Sequence, residues 1–570
     1  MNLFLDIETD STASTIWICY TYNQETKEYQ CHTAADTLNP LIEKADKVIA
    51  HNLIGFDRPV LERLWKTKIC SSKVTDTLIL SRLWQPSIEN GHGLDAWGKR
   101  LGKTKKADYQ RLYWRLQGVR KFDTKDKSHW DKPHTNLLKA YCKRDVEVLV
   151  DVYNYLQKET KGWGDSIDLE HQVALIIQEQ IEHGFKFDEQ HATALQAQLA
   201  GEVADIEAQL QVVFPPIVEK RVSEKTGKEL KDRVIAFNPG SRQQIAERLQ
   251  GLGVKFTKTT EKGSIIVDEK VLEGIDLPEA KLIARYLMLQ KRVSQINSWF
   301  EELKPDGRVH GRVITNGAVT GRMTHASPNM AQVPNSGSEY GPECRQCFVV
   351  DKGHVLVGAD ASGLELRMLA HYMEDEAYVV TVVEGSSKDG TDVHTKNQKA
   401  AGLPTRDHAK TFIYAFLYGA GAAKIGSIVG KGSAEGQKLM ARFLKATPAL
   451  QKLRDKVAKQ ASKGYVQGLD GRKIWVRSEH AALNSLLQGA GAIVMKKALV
   501  LLDRRLKRNG VQYGFCANVH DEWQIETEAK YAEFVGESAV WAIRLAGRKL
   551  GLTCPLDGEY KIGKSWRETH

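Results

Sequence analysis

Short apolar strands that lead into acidic side chains occur in two distant parts of this 570-residue chain. Asn2–Asp6 is an apolar strand that runs on to Glu8, and Val355–Ala359 is another that runs on to Asp360. Strand ends at a cleft are frequent positions for catalytic carboxylates, although an Asp there commonly just caps the next helix. Helical patterns alternate with strands around both stretches, so we expect a multidomain α/β (α+β) protein.

Length and composition fit a globular, intracellular protein. At roughly 100–200 residues per domain, the chain is long enough for three to five domains. Hydrophobic residues make up 42% and charged residues 27% of the chain, which argues against disorder or a fibre. Charged residues interrupt each apolar run before about 18 residues, so neither a membrane-spanning helix nor a signal peptide is expected. The eight scattered cysteines suit a reducing cytosol better than a disulfide framework.

Basic residues are concentrated between positions 99 and 144. This stretch holds fifteen Lys or Arg and four Asp, whereas the whole chain carries a net charge of +10. Aromatic residues are interleaved with these cations, namely Tyr109, Tyr113, Trp114, Phe122 and Trp130. Such a mixture can hold a phosphate backbone and stack unpaired bases, but a solvated loop has the same composition, and the sequence favours neither interpretation.

The acids near the N-terminus form a candidate metal site. Asp6 and Glu8 are two residues apart on a strand, so both project from the same face. Asp57 follows the next predicted strand, and Tyr141 and Asp145 share one face of a predicted helix. Asp-x-Glu alone is more often a strand end that meets solvent. Four carboxylates that hold two Mg²⁺, with a tyrosine that orients a water, would nevertheless suit phosphodiester hydrolysis.

A second pair of acids lies toward the C-terminus. Phe515–Ile525 consists of two short strands that flank Asp521, which places this residue at the tip of a hairpin. If the hairpin lies beside the strand that leads into Asp360, the two carboxylates can bridge two Mg²⁺. That geometry suits in-line attack of a 3′-hydroxyl on a nucleoside triphosphate, but neither segment is convincing by itself.

A stripe of cations and aromatics lies between these two acids. Arg406, Lys410, Tyr414 and Tyr418 recur every four residues, so on a helix they form one slowly turning face. The cations can hold triphosphate oxygens and the aromatics can stack a base and a sugar. An amphipathic helix with a solvated polar face has the same periodicity, and the spacing alone favours this simpler interpretation.

These segments resemble the motifs of a known family. The set Asp6, Glu8, Asp57, Tyr141 and Asp145 is similar to the three motifs of the proofreading 3′–5′ exonucleases with an RNase H-like fold. Five further segments resemble the family A DNA polymerases, namely Thr320–Arg322 with Pro328-Asn329, Asp360–Arg367, Arg406–Gly419, Asn484–Ala490 and His520–Glu522. The likeness runs in the same order along the whole chain, and within the family it is to the replicative polymerases of T-seven-like bacteriophages.

The resemblance implies an RNase H-like 3′–5′ exonuclease domain followed by a right-hand polymerase domain. The expected boundaries are 1–163 for the exonuclease, 164–305 for the thumb and connecting helices, 306–370 for the first part of the palm, 371–500 for the fingers and 501–570 for the second part of the palm. Glu279–Leu303 is the candidate thumb helix, although a solvated basic face fits it equally well. The implied activity is template-directed addition of dNTPs to a primer 3′-hydroxyl during replication, with proofreading.

The resemblance also implies a role for each matched residue. Two Mg²⁺, replaceable by Mn²⁺, would bind in each site, to Asp360, Asp521 and the Ala361 carbonyl in one and to Asp6, Glu8, Asp57 and Asp145 in the other. Nucleotide contacts are expected from Ala361, Glu365, His394, Arg406, Lys410, Tyr414 and Tyr418. Contacts with minor-groove acceptors of the primer-terminal base pairs are expected from Arg322, Asn484, Gln488 and His520.

Sugar selection is expected to rest on Glu365 and Tyr414. A ribose 2′-hydroxyl pressed onto the engaged Glu365 carboxylate would clash or displace a hydrogen bond. The Tyr414 hydroxyl can replace the interaction that a missing 3′-hydroxyl would make, so tolerance of dideoxynucleotides is expected.

The sequence departs from the family pattern in two ways, and the second affects which partner proteins are expected. The chain begins almost at the exonuclease strand, which leaves no room for a 5′-nuclease domain. Where the phage relatives carry a long insertion that binds thioredoxin, Phe214–Phe237 is a short connector, and Glu219–Arg233 within it is expected to be a surface loop. We therefore expect no thioredoxin dependence and no membrane association. The expected partners are primer–template DNA, dNTPs, a helicase–primase and a single-strand-binding protein, for a monomer in the cytoplasm of an infected bacterial host cell.

Three other hypotheses fit parts of the sequence. If the protein were a nuclease whose C-terminal part only clamps duplex DNA, it would need neither the two palm aspartates nor the complete stripe of cations and aromatics. For a non-enzymatic DNA-binding or packaging protein, acids at two separate metal-site patterns would be liabilities near phosphate. For an RNA polymerase of related palm fold, Glu365 and the N-terminal exonuclease motifs are unexpected.

Overall fold

The chain divides into two compact units. The computed structural model describes residues 1–103, 109–222, 227–260 and 263–570, so part of the basic stretch and part of the connector lie outside the described residues. The large unit comprises Met1–His183, Val313–His325 and Val357–Ile562. The small unit comprises Gly184–Arg312, Ala326–Leu356 and Gly563–His570. Both predicted groups of acids belong to the large unit.

Residues 1–183 contain a mixed sheet flanked by helices, as predicted. The strands are β1 (Asn2–Thr9), β2 (Ile16–Asn23), β3 (Glu28–His32), β4 (Lys47–Ala50) and β5 (Val74–Asp76). The helices are α1 (Ala35–Lys44), α2 (Arg58–Leu64), α3 (Thr77–Trp84), α4 (Leu94–Arg100), α5 (Tyr109–Leu116), α6 (Ser128–Asp131), α7 (Thr135–Glu159) and α8 (Gly164–His183). The sheet order is β3-β2-β1-β4-β5, with β1 antiparallel to β2 and parallel to β4.

The two faces of β1 have different roles. Leu3, Leu5 and Ile7 belong to one buried hydrophobic cluster, whereas Phe4 belongs to another that includes Val146 of α7. Because successive side chains of a strand point to opposite faces, Asp6 and Glu8 lie on the face of Phe4, which α7 covers. The strand period therefore places these two carboxylates where the sequence predicted.

The small unit is built on a short sheet and two long helices. Its strands are β6 (Phe185–Phe187), β7 (Ile217–Val222), β8 (Glu229–Ile235), β9 (Arg308–Val309) and β12 (Phe348–Val349). Between β9 and β12 the chain forms β10 (Arg312–Ile314) and β11 (Thr324–Ala326), most of whose residues belong to the large unit. The helices are α9 (Glu189–Val213), α10 (Arg242–Gly251), α11 (Glu269–Glu273), α12 (Pro278–Glu301) and α13 (Gly341–Gln346). The sheet order is β12-β6-β9, and β10 pairs with β11. Helix α12 confirms the helical pattern at Glu279–Leu303, and α9 packs against it.

The prediction of a surface loop at Glu219–Arg233 was wrong. Strands β7 and β8 pair antiparallel, with Ile217 opposite Ile235 and Val218 opposite Val234. Branched apolar residues lie near both ends of each strand, and such residues favour an extended chain. Charged residues fill the middle of each strand and obscured this signal.

The C-terminal part supplies the second mixed region of the large unit. Its strands are β13 (His354–Ala361), β14 (Tyr465–Gln467), β15 (Lys473–Trp475), β16 (Tyr513–Val519), β17 (Glu522–Glu528) and β18 (Gly558–Gly563). The first helices are α14 (Leu364–Met373), α15 (Glu376–Glu384), α16 (Val393–Ala401), α17 (Arg406–Leu417) and α18 (Ala422–Ser427). They are followed by α19 (Ser433–Ala446), α20 (Pro448–Ala461), α21 (Ala482–Arg508) and α22 (Ala532–Lys549). The sheet order β16-β17-β13-β18 brings the hairpin beside the Asp360 strand.

Helix α21 is a core helix of unusual apolarity. Glu479–Arg508 is long and apolar enough to cross a membrane by length and composition, but 83% of its most apolar window is buried inside the protein. The sequence prediction excluded such a helix because it considered uninterrupted apolar runs, and Lys496 and Lys497 interrupt this one. A helix that is hydrophobic all round is typical of the core of a large domain.

A buried charge network fixes α21 to α8. Glu170 of α8 is fully buried, and its carboxylate accepts hydrogen bonds from Lys496 at 2.8 Å and from Arg472 at 2.5 Å. Arg472 also binds Asp470 at 2.6 Å, and Lys496 donates to Asn316 at 2.7 Å. Burial lowers the pKa of Lys496 to about 8, although Glu170 acts in the opposite direction. Removal of one member would leave an uncompensated buried charge.

Replacement of Glu170 by Gln should therefore destabilise the large unit. We expect Glu170→Gln to lower the free energy of unfolding by about 3–5 kcal/mol, because Lys496 and Arg472 lose their shared anion. Chemical denaturation measures this loss. The double variant Glu170→Gln with Lys496→Met should recover part of it, since one of the two stranded cations is removed. Equal stability of Glu170→Gln and the original protein would contradict this account.

Candidate active sites

Asp6 and Glu8 lie side by side under α7. Glu8 is buried, and the ligand atoms of Asp6, Glu8 and Cys142 all lie within 4.8 Å of one another. The Cys142 thiol of α7 donates to the Asp6 carboxylate at 3.5 Å. The sequence prediction did not include Cys142, because nothing but its position next to Tyr141 marks it. Two carboxylates and a sulfur at this spacing can surround a cation.

Asp57 reaches the same strand from a tight turn. It ends a one-turn π-helix, Leu53–Asp57, and is 2% exposed. The backbone of Ile7, which lies between the two β1 acids, hydrogen-bonds the Asp57 carboxyl. Burial, together with the nearby charge of Asp76, raises the pKa of Asp57 to about 7. A carboxyl in this position would favour a nearby cation as a partner, since a cation offsets the cost of its buried charge.

Asp76 holds the turn that carries Asp57, and the sequence prediction missed it. Its carboxylate accepts hydrogen bonds from the backbone amides of Asn52 at 2.9 Å and Ile54 at 3.1 Å. It also caps α3 through the amide of Leu78 at 2.9 Å. The available signal was an Asp directly before an apolar helical run, which predicts an N-cap but not a contact with a turn twenty residues away.

Tyr141 and Asp145 complete the group from α7. Asp145 is buried, and the phenol of Tyr141 hydrogen-bonds to it. Burial and the charges of Asp145, Glu8 and Asp6 raise the pKa of Tyr141, so the phenol keeps its proton. The structure thus brings the β1 acids and this pair together, and the Asp57 carboxyl reaches the backbone of β1 at Ile7. A protonated phenol beside carboxylates can orient a water.

The aromatic part of the basic stretch packs against this site instead of facing solvent. Tyr109 is 2% and Tyr113 is 8% exposed, and the Tyr109 ring lies 5.7 Å from that of Tyr141. Trp130 lies 6.0 Å from the same ring. Neither base stacking nor a solvated loop describes Tyr109 and Tyr113, which form part of a hydrophobic core. Residues 104–108 of the stretch lie outside the described residues.

Asp360 and Asp521 lie in neighbouring backbone segments of the second sheet. Asp360 lies inside β13, and the next amide, that of Ala361, donates to the backbone carbonyl of Asp521 at 3.1 Å. Asp521 occupies the turn between β16 and β17, after His520 in a left-handed conformation (φ 57°). Burial raises the pKa of Asp521. The hairpin condition set by the sequence is therefore met.

Glu365 is held from two sides. Arg322 donates to one carboxylate oxygen at 3.0 Å, and the hydroxyl of Tyr418 donates to the other at 2.8 Å. Arg322 also lines a small cavity of about 20 Å³ with His520 and Asp521. Glu365 contacts Arg322, and Arg322 shares a cavity with the turn that carries Asp521.

Helix α17 confirms the predicted stripe. Arg406, Lys410 and Tyr414 lie within the helix, and Tyr418 is its C-cap residue. The ring of Tyr414 lies 6.3 Å from that of His394 and 6.3 Å from that of Tyr418. The aromatic members therefore follow one another along a continuous surface, with the cations on the preceding turns.

Asp392 orients Arg406 and was absent from the sequence prediction. Its carboxylate binds the Arg406 guanidinium at 3.0 Å and accepts from the His394 amide at 3.1 Å, as the N-cap of α16. Burial opposes its ionisation, but hydrogen bonds from Arg406, Thr395 and His394 prevail and lower its pKa to about 2. Only the N-cap pattern of Asp392-Val393-His394 was visible in sequence.

Asn484 and Gln488 lie four residues apart on α21 and are both partly exposed. They share one face of the helix because residues four apart are neighbours on its surface. The neighbouring face of the same helix is buried in the core, which holds these two amides in place. Their predicted contacts with DNA stay a prediction.

Comparisons with known proteins agree with both sites. The model of the family described as "DNA polymerase family A" matches residues 217–568, and that described as "3'-5' exonuclease" matches residues 5–161. The DNA-directed DNA polymerase of Enterobacteria phage T3 is 33% identical, with 94% of each chain covered. The DNA-directed DNA polymerase of Escherichia phage T7 is also 33% identical, with 96% of this chain and 97% of the relative covered.

More distant proteins share the fold. DNA polymerase I of Aquifex aeolicus is 30% identical over 62% of this chain and 64% of its own. The solved POL domain of Pol1 from M. smegmatis, described as a complex with DNA primer-template and dNTP, superimposes with a TM-score of 0.80 at 19% identity. That comparison covers 100% of this chain and 96% of the other. Together with the matched family models and two separate carboxylate groups, these findings show that the chain belongs to DNA polymerase family A and carries an N-terminal 3′–5′ exonuclease domain.

Proposed function

We propose that this DNA-directed DNA polymerase is a replicative enzyme that proofreads its own product. The observation that carries the proposal is the presence of two separate groups of carboxylates, one around Asp6 and Glu8 and one where Ala361 binds the backbone of Asp521. The first suits hydrolysis of a 3′-terminal phosphodiester. The second suits addition of a dNTP to a primer 3′-hydroxyl.

Both kinds of domain use divalent metal ions, and we propose two Mg²⁺ in each site, with Mn²⁺ as a substitute. The carboxylate and carbonyl oxygens are hard ligands of the kind that Mg²⁺ prefers. The polymerase ligands would be Asp360, Asp521 and the carbonyl of Ala361, and the exonuclease ligands would be Asp6, Glu8, Asp57 and Asp145. When bound, the ions would activate the attacking oxygen and stabilise the leaving oxygen. Tyr141 would orient the attacking water.

The nucleotide would lie along α17. Arg406, Lys410 and His394 would hold its triphosphate, and Tyr414 would stack behind its sugar. Tyr418 would lie near the templating base, and the hydroxyl of Tyr414 would permit dideoxynucleotides. Arg406 is already oriented by Asp392, and charge-assisted hydrogen bonds to phosphate are strong and directional.

The proposed DNA substrate is a primer–template, the ligand described for the solved relative. Arg322, Asn484, Gln488 and His520 would contact the minor groove at the primer terminus, where acceptors recur in each correct base pair. We propose a monomer that works without thioredoxin alongside a helicase–primase and a single-strand-binding protein. Its proposed location is the cytoplasm of an infected bacterial host cell.

We propose the same domain boundaries as those expected from the sequence. They are 1–163 for the exonuclease, 164–305 for the thumb and connecting helices, 306–370 and 501–570 for the palm, and 371–500 for the fingers. The beginning of α8 at Gly164 supports the first boundary. The strands that carry Asp360 and Asp521 support the two palm segments, since they are neighbours in one sheet.

Substitution of one acid in each site should separate the two activities. We expect Asp360→Ala to abolish primer extension but to leave 3′-end shortening, because only the polymerase ligands are changed. Asp6→Ala should have the opposite effect. A labelled primer–template with Mg²⁺, incubated with and without dNTPs, measures both reactions. The two variants serve as controls for each other, and loss of both activities in either folded variant would contradict two separate sites.

Removal of the Glu365 side chain should relax sugar selection. We expect Glu365→Ala to raise the incorporation of ribonucleotides relative to deoxyribonucleotides by about 10- to 100-fold, because the 2′-hydroxyl no longer meets an engaged carboxylate. Single-nucleotide extension with dNTP and NTP gives this ratio. Arg322 and Tyr418 lose their shared acceptor in the same variant, so Tyr418→Phe is a matched control. An unchanged ratio in Glu365→Ala would exclude this residue from sugar selection.

Loss of the Asp392 charge should weaken nucleotide binding. Asn is also a good N-cap, so Asp392→Asn should keep α16 but release Arg406. We expect the KM for dNTP to rise about fivefold to tenfold with a smaller change in kcat, because a charge-assisted hydrogen bond to Arg406 is lost. Steady-state extension kinetics test this, with the exposed Asp389→Asn in the same loop as control. A KM that stays the same or falls would show that Asp392 does not position Arg406 for nucleotide.

A further inference from the structure

Three side chains with metal-binding atoms meet on the large unit, away from both catalytic groups. His183 ends α8, Cys516 lies in β16 and Glu526 lies in β17. Their ligand atoms all lie within 4.8 Å of one another. Cys516 and Glu526 are each five residues from Asp521, which corresponds to about 16 Å along a strand. The group is therefore separate from the polymerase metal ligands.

The backbone places these side chains where they can converge. Phe515 pairs with Ile525 and Ala517 pairs with Gln524, so the β16 strand is irregular at Cys516. An irregularity of this kind re-aims a side chain and is often found beside a functional site. Two residues earlier on the same strand, Gly514 provides room for the imidazole of His183, because a Cβ atom at that position would lie 2.3 Å from the ring. The ring can occupy this place only beside a glycine.

The distances suit a tetrahedral ion. Nε2 of His183 lies 3.1 Å from Oε2 of Glu526, and Sγ of Cys516 lies 4.0 Å from the same oxygen. Zinc bonds of about 2.0–2.3 Å at tetrahedral angles require ligand atoms about 3.3–3.7 Å apart. Shifts of a few tenths of an ångström would therefore bring the Glu526 oxygen to these distances from both partners, and a ring nitrogen of His183 and Sγ of Cys516 lie within 4.8 Å of each other. A nitrogen, a sulfur and an oxygen ligand favour zinc over Mg²⁺ or Ca²⁺, which prefer oxygen.

Solvent reaches the group through its histidine. Glu526 is 3% and His183 31% exposed at the side chain, and His183 lines a surface groove. His183, Lys507 and Tyr513 line this groove, whose volume is about 380 Å³. The Lys507 ammonium ion pairs with Glu179 and Asp503, each at 3.0 Å, so its charge is compensated. A fourth ligand can then be a water from the groove.

We propose that His183, Cys516 and Glu526 form a zinc site that joins the end of α8 to the β16–β17 hairpin. On binding, the thiol of Cys516 releases its proton to solvent, and the thiolate and Zn²⁺ form the new bond. The ion would link two parts of the chain that are over 300 residues apart in sequence, as the direct contact between His183 and Glu526 already does. The site is independent of the proposed catalytic roles.

Cobalt spectroscopy of the full chain tests the sulfur ligand. Co²⁺ added to chelator-treated protein should give a near-ultraviolet thiolate-to-cobalt charge-transfer band and visible bands of a tetrahedral ion, and Zn²⁺ should remove both. Cys516→Ser should abolish the charge-transfer band. Cys142→Ser is the matched control, because Cys142 is the thiol beside the Asp6 carboxylate and should leave the band intact. A band that persists in Cys516→Ser or disappears in Cys142→Ser would overturn the proposal.

A second measurement uses a residue at the surface, which should not impair folding. We expect Zn²⁺ to raise the Tm of the original protein, and His183→Asn to weaken zinc binding by more than about 100-fold, since loss of even an outer hydrogen-bond partner costs 10- to 100-fold. His134→Asn, at an exposed helix N-cap, should behave like the original protein. Equal zinc affinity in the His183→Asn variant would mean that the group is only an ion pair between His183 and Glu526. Primer extension is not part of either readout, so a failure here is distinct from a failure of the proposed function.

Discussion

The large unit depends on one buried anion. Glu170 has no access to solvent and binds both Lys496 and Arg472, which come from the core helix α21 and from the turn before β15. Burial of three charges is costly unless each is paired and hydrogen-bonded, so this arrangement tolerates little displacement. Helix α21 also carries Asn484 and Gln488, and α8 carries His183 at its end. The position of several proposed functional side chains is therefore set by an interaction that takes no part in chemistry.

Local rules were enough to predict where these acids and cations lie in the fold. Asp6 and Glu8 follow from the period of a strand, Asp521 from a hairpin and the stripe of α17 from the period of a helix. Asp76, Asp392 and Glu170 could not be found in this way because their roles depend on partners distant in sequence. Glu170 and Lys496, for example, are 326 residues apart. The same limit explains why the sequence left open whether Tyr109 and Tyr113 belong to a nucleic-acid surface or to a solvated loop, whereas they are part of a core.

Burial raises the pKa of a carboxyl group in each of the two sites. It raises the pKa of Asp57 to about 7 and also that of Asp521, since each carboxyl is removed from water. A carboxylate in such surroundings gains more from a divalent cation than an exposed one does, because the cation replaces lost hydration. The tyrosine of the exonuclease group stays protonated for the same reason. These pKa shifts support the proposal that both groups of acids hold metal ions.

The double contact of Glu365 has a consequence for how this enzyme can evolve. Its carboxylate binds Arg322 on one side and Tyr418, at the end of α17, on the other. A substitution of Glu365 therefore also removes a hydrogen bond to the C-cap residue of the helix that carries Arg406 and Lys410. Under the proposed role of Glu365 in sugar selection, a change of sugar preference at this side chain is coupled to a change in how the end of this helix is held.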